Sequence, residues 1–243
     1  MRTAVLDGLL DRVELRRAPG RPDQVHLSVT DRCFLPCTHC DIWKNRDPDL
    51  PGAVWFDLID RLGDWCAPAS MNFVGGEPLL RRDLEELLGH ARDRGFRTSF
   101  NTNGWLIDEA RARTVASSGV GTVYVSLDGI HAETVDATRG REGSHARAVR
   151  AIELLDAQVG PQVVVACIIH GRNAREIPEL LAWVRARGLQ LVMQPLYQNF
   201  GENTYAKDWW RTSPLFPRTQ GELAAIDQAL DALSVERMRG GAI

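Results

Sequence analysis

Val25-His-Leu-Ser-Val-Thr30-Asp-Arg-Cys33-Phe-Leu-Pro-Cys37-Thr-His-Cys40 joins two kinds of chain. Residues 25–30 are apolar and β-branched, the composition of a strand. Residues 33–40 then place three cysteines in one loop, with three residues between the first two and two between the last two. The carboxyl end of a strand is where α/β folds bind their ligands.

The same alternation repeats downstream. Residues 54–66 carry Val54, Trp55, Leu58, Ile59, Leu62 and Trp65 at helical spacing, and 70–74 form a second strand ending at Gly75-Gly76. A helix over 82–94 stops at Gly95, 97–102 is the third strand, and a helix over 107–118 stops at Gly119. Residues 122–127 are the fourth strand, followed by a loop and a helix over 144–157. Residues 162–169 are the fifth strand. Asn173 and Glu176 form a capping-box pattern before a helix that stops at Gly188, and 189–195 is the sixth strand. Thr219 and Glu222 open a last helix that runs to about Ser234. Six β-then-α units imply an α/β fold with parallel strands and right-handed crossovers. Periodicity fits an open sheet and a partial barrel alike. The core spans 25–197, between an N-terminal extension at 1–24 and a final segment at 198–243.

Composition narrows the function. Hydrophobic residues make up 44% of the 243-residue chain, enough to bury a core without disulfides. A net charge of -3 gives no electrostatic pull toward nucleic acid or an anionic membrane. The longest apolar runs, such as 163–169, are too short to span a bilayer, and 1–24 lacks the apolar centre of a signal peptide. A cytoplasmic, reducing location is therefore expected, where clustered cysteines point to metal rather than to disulfides.

Thiolates suit zinc and iron–sulfur clusters. A structural zinc site takes four closed ligands. Here three cysteines stand with His39 directly beside Cys40, and no second Cys-x-x-Cys pair completes a set. A cubane held by three cysteines keeps one iron open for another ligand. Cys66 and Cys167, in a helix and an apolar strand, read as core residues.

The Cys33-x-x-x-Cys37-x-x-Cys40 loop after the first strand resembles the signature of the radical S-adenosylmethionine (SAM) superfamily. Gly75-Gly76-Glu77-Pro78, at the end of the second strand, resembles the family segment that binds the SAM amino group. The resemblance covers about residues 24–197 and implies a partial (β/α)6 TIM-like barrel with a [4Fe–4S] cluster on Cys33, Cys37 and Cys40. It places His39 near the SAM adenine. Asn101-Thr102-Asn103-Gly104 and Ser126-Leu127-Asp128-Gly129 resemble segments lining the ribose and methionine portions, with Asn103, Ser126 and Asp128 as candidates. Read as residues alone, Asn103, Gly104 and Gly129 also suit turns, and Asp128 also suits loop capping. Arg139 resembles an Arg that approaches the SAM carboxylate, with Arg141 close by. Ile168 has a place either against the adenine or in the core, His170 is a further strand-end polar group, and Gln194 faces adenine or substrate. The aromatic, amide-rich stretch 198–210 suits substrate contacts, a cover over the barrel mouth, or an interface to another domain.

By resemblance, such an enzyme cleaves SAM reductively to a 5′-deoxyadenosyl radical that takes hydrogen from a peptide or small-metabolite substrate. An external one-electron donor of flavodoxin or ferredoxin type is expected. The segment Cys40-Asp-Ile-Trp-Lys44 resembles members with a cysteine-rich C-terminal extension, called SPASM or twitch, yet no cysteine follows Cys167. The expectation is either a chain truncated before that extension or an enzyme working without it. Two alternatives stand beside this reading: an activating enzyme that installs a radical on a partner protein, and a non-catalytic iron–sulfur or zinc module.

Overall fold

A computed structural model describes residues 20–197 and 208–238. Six strands, β1 (Gln24–Thr30), β2 (Ser70–Gly75), β3 (Arg97–Thr102), β4 (Thr122–Ser126), β5 (Gln162–Ile169) and β6 (Gln190–Pro195), form one sheet in the order β1-β2-β3-β4-β5-β6. Every pairing is parallel. A doubly wound sheet reverses its order at a switch point, whereas sequential order with right-handed crossovers puts the helices on one face. The molecule is a partial (β/α)6 barrel, with β1 and β6 as its two edges.

The strand register sorts residues between two faces. Leu27, Phe73, Phe100, Val123 and Val163 pair across five strands as one buried row against the helices. The neighbouring row, His26, Asn72, Ser99 and Thr122, faces a cavity on the concave side. Closed barrels of this family of shapes fill that space with branched apolar side chains. Here it is polar: Ser99 Oγ donates to Asn72 Oδ1 at 3.1 Å, and Asn72 Nδ2 donates to Asn101 Oδ1 at 2.9 Å.

The helices are α1 (Gly52–Cys66), α2 (Leu84–Asp93), α3 (Glu109–Ser117), α4 (Ala132–Arg139), α5 (Ser144–Asp156), α6 (Ile177–Ala186), α7 (Trp209–Thr212) and α8 (Gln220–Met238). Helix α4 falls where the sequence suggested only a loop. Its sequence, Ala-Glu-Thr-Val-Asp-Ala-Thr-Arg, has one large apolar residue and no apolar stripe. The capping box expected at Asn173 and Glu176 does not form. Asn173 Nδ2 donates inward to the carbonyls of Asp128 and Ile168, and Glu176 accepts from the Ile130 and His131 amides, so α6 starts one 3-10 turn later. The box at Thr219 and Glu222 does form, with Thr219 N donating to Glu222 Oε2 at 2.9 Å and Glu222 N to Thr219 Oγ1 at 3.2 Å. Helix α8 runs four residues past the expected end at Ser234, to Met238. Most of the stretch at 198–210 lies outside the described residues, as do 1–19 and 239–243; Trp209 and Trp210 pack on Phe216. Among the described residues no helix is long and apolar enough to cross a membrane.

Candidate functional site

The cysteine loop leaves the end of β1 and is gripped from two sides. On the first, Gly76 N donates to Thr30 O at 2.7 Å and Glu77 N to Arg32 O at 2.8 Å. A Cβ on Gly75, whose φ is +129°, would lie 2.1 Å from Thr30 O, and one on Gly76 would lie 2.3 Å from Arg32 O. The paired glycines are thus needed where the turn after β2 meets the root of the cysteine loop. Asp49 braces the same root, accepting from Thr30 Oγ1 at 2.6 Å and Arg32 Nε at 2.9 Å.

On the second side, the C-terminus of α4 holds the loop. Thr38 N donates to Thr138 O at 2.8 Å, and Thr38 Oγ1 to Ala137 O at 3.2 Å. Gly140, at φ +71°, brings its Cα so close that a Cβ would lie 2.3 Å from Pro36 O. Leu35 is fully buried and anchors the loop from within.

Cys33, Cys37 and Cys40 line one cavity of about 810 Å³ that continues along the polar concave face. Of the other sequence candidates, His39, Gly75, Gly76, Asn103, Ser126, Arg139, Ile168 and Gln194 share its wall. Glu77, Pro78 and Asp128 do not. The Glu77 carboxylate is fully enclosed and accepts from Leu79 N at 3.2 Å, Thr102 Oγ1 at 2.9 Å and Asn103 N at 2.8 Å. Asp128 is equally enclosed; its Oδ1 accepts from Ile168 N at 3.0 Å and its Oδ2 pairs with Arg139 Nη2 at 2.7 Å. Arg141 lies at the side, stacked on the Trp105 ring at 4.1 Å. Sequence reasoning missed the α4 clamp of Ala137, Thr138 and Gly140, the brace at Asp49, and the inward role of Asn173. A glycine following Arg139 was the one local sign of the clamp.

Burial dominates the electrostatics. It raises all three loop thiols, Cys37 to about 11 although Arg139 pulls it down; Cys40 adds to the rise at Cys33, and Cys33 and Cys40 both add to it at Cys37. Burial lowers His39 and His170 to about 4, so both are neutral at physiological pH. Burial lifts Glu77 to about 7 against its three hydrogen-bond donors. For Asp128, burial is outweighed by Arg139 and the two histidines, and the carboxyl stays below the usual range.

These residues fit a thiolate-bound cluster. Three thiols that resist ionisation on their own become thiolates beside a cationic metal centre. Among the described residues no three His, Cys, Asp or Glu side chains gather around a point that a single ion would occupy. Three thiols on one cavity wall are a donor set that would hold an iron–sulfur cluster. On the same wall, His39 Nδ1 and Asn103 Nδ2 are buried without a hydrogen-bond partner among the described residues, as expected for the wall of a polar ligand's site.

Residues 27–184 match the sequence profile described as the radical SAM superfamily. The Fe-coproporphyrin III synthase of Methanosarcina barkeri is 38% identical over 159 residues, covering 63% of this chain and 38% of that protein. The mycofactocin maturase MftC of Mycolicibacterium smegmatis is 34% identical over 180 residues, covering 73% of this chain and 45% of that protein. The chain therefore spans less than half the length of these two relatives. The crystal structure of Streptococcus suis SuiB bound to S-adenosylmethionine superposes with a TM-score of 0.70 over 89% of this chain and 48% of that one, at 16% identity, a likeness of fold.

Proposed function

This chain belongs to the radical SAM superfamily, and on that premise we propose that it cleaves S-adenosylmethionine at a [4Fe–4S] cluster to abstract hydrogen from a peptide or small-metabolite substrate. The observation that carries the proposal is the set of three loop thiols on the wall of a cavity that runs into a polar barrel interior. Bound there, a cluster and SAM would supply reductive cleavage of the sulfonium and hydrogen-abstracting radical chemistry.

The protein's own residues bind, orient and exclude water. Cys33, Cys37 and Cys40 hold the cluster. Gly75 and Gly76 set the wall beside it, and the enclosed Glu77 holds that turn and Asn103 in register, acting on SAM through their backbone rather than through its carboxylate. His39, Asn103, Ser126, Ile168 and Gln194 form the remaining wall for SAM. The concave-face side chains of Asn72, Ser99 and Asn101 offer amide and hydroxyl groups, which suit a peptide segment better than an apolar metabolite. The free thiols of all five cysteines accord with work in a reducing cytoplasm, with an external flavodoxin- or ferredoxin-type donor supplying electrons.

The test is anaerobic reconstitution with iron and sulfide, then reduction with dithionite in the presence of SAM. About four irons per chain and release of 5′-deoxyadenosine are expected. Cys37→Ala removes both, and Cys66→Ala, outside the cavity, removes neither. Tightly held zinc with no SAM cleavage would overturn the proposal.

A further inference from the structure

Arg139 ends α4, the helix whose carbonyls hold the cysteine loop through Thr38. Its guanidinium is almost wholly buried, and its ion pair with Asp128 at 2.7 Å is enclosed on the Asp128 side. Asp128 is fixed in turn: Ile168 N donates to its carboxylate at 3.0 Å, and Asn173 Nδ2 donates to its backbone carbonyl. A buried ion pair gains little stability over apolar residues of the same volume, so stability alone does not account for this one. Its orientation is informative. The anion lies away from the cavity, whereas Arg139 lines the cavity wall together with Cys37. Arg139 Nε has no partner among the described residues.

We propose that Arg139 is a positioning residue for the cluster, its cation held against Cys37 by Asp128 to favour the reduced state. The inference rests on the functional reading above and adds to the SAM-carboxylate role that the resemblance gave Arg139. Reduction adds one electron to the cluster and no proton, so the added negative charge sits among the thiolates. A buried cation beside one of them stabilises that charge strongly because little water screens it. Net charge and hydrogen bonds around the sulfurs are the means by which proteins set cluster potentials. Asp128 opposes the effect while fixing the geometry, so the two charges act on the potential with opposite signs.

The experiment is an anaerobic redox titration of the reconstituted chain without SAM, followed by the EPR signal of the reduced cluster, with SAM affinity measured in parallel. Arg139→Gln is expected to shift the midpoint to more negative potential and Asp128→Asn to more positive potential. Arg139→Lys, which keeps the charge, is expected to stay near wild type. A merely structural pair would lower iron content in each variant without shifts of opposite sign. If Arg139→Gln fails to take up iron, the Asp128→Asn and Arg139→Lys titrations still decide: no positive shift in the first, or a clear shift in the second, overturns the proposal. Unchanged potentials with SAM binding weakened tenfold or more in both Arg139 variants would overturn it too, and would leave Arg139 with the SAM carboxylate alone. Failure of the wild-type chain to form any cluster would instead overturn the functional reading beneath it.

Discussion

Glu77 Oε1 accepts a hydrogen bond from the Thr102 hydroxyl at 2.9 Å, tying the turn after β2 to the end of β3 where water does not reach. Burial pushes the Glu77 carboxyl up to about 7, and Thr102 is one of the three donors that restrain it. A carboxyl whose folded pKa lies above its unfolded value binds its proton more tightly in the native state. Its contribution to stability is full below the unfolded pKa near 4.5 and is lost as pH rises through about 7. Thr102→Val keeps the shape and removes the donor, at a cost of about 1–3 kcal/mol. The loss is expected to be greater at about pH 8, where the carboxylate is ionised and short of a donor, than at about pH 6. Urea unfolding at the two pH values measures it, and equal losses would refute the account.

Two glycines in left-handed conformation separate backbone strain from the grip on the cysteine loop. Gly188 has φ +67° and, among the described residues, nothing within 4 Å of an added Cβ; Gly140 has φ +71° and Pro36 O at 2.3 Å. Gly188→Ala should cost the left-handed penalty alone, about 1 kcal/mol, and leave iron uptake unchanged. Gly140→Ala adds a clash with the loop that carries the thiols. It is expected to lower iron per chain on reconstitution while far-ultraviolet circular dichroism stays near wild type. Equal iron uptake in the two variants would show that the α4 clamp does not position the cysteines.

The six β/α units were legible because strand and helix periods are local and several helix-to-strand changes are marked by a glycine such as Gly95, Gly119 or Gly188. Barrel against open sheet was not legible, since strand order is a non-local property and β1 carries no mark of whether β6 will lie beside it. The α4 helix escaped notice because its burial rests on Val135 and Thr138 rather than on an apolar stripe. Asn173 and Glu176 matched a cap by spacing, but their side chains serve Asp128, Ile130 and His131, residues over 40 positions upstream. At the site, position at a strand's carboxyl end located Ser126, Asn103 and Gly76 on the cavity wall. It did not reveal that Glu77 and Asp128 turn away, because the alternation of strand faces ends where the turn begins.

His170 offers a stability test independent of the cluster's chemistry. The ring is fully enclosed, Nδ1 accepts from Arg172 N at 3.2 Å, and Nε2 has no partner among the described residues. Burial lowers its pKa from 6.5 to about 4, although Asp128 works the other way. Between those values the unfolded chain binds a proton that the folded chain refuses, so stability rises with pH through the window and is lost as pH falls. From about pH 7 to about pH 5 the wild-type chain should lose about 2 kcal/mol on this account. His170→Gln removes the titrating ring and keeps a polar side chain. Effects shared by both proteins, including those of His39 and Glu77, cancel in the difference between their urea-unfolding free energies. That difference is expected to move in favour of the variant as pH drops from about 7 to about 5. A constant difference would mean that His170 takes up its proton in the folded state as readily as in the unfolded one, through contact with water that its enclosed position denies it.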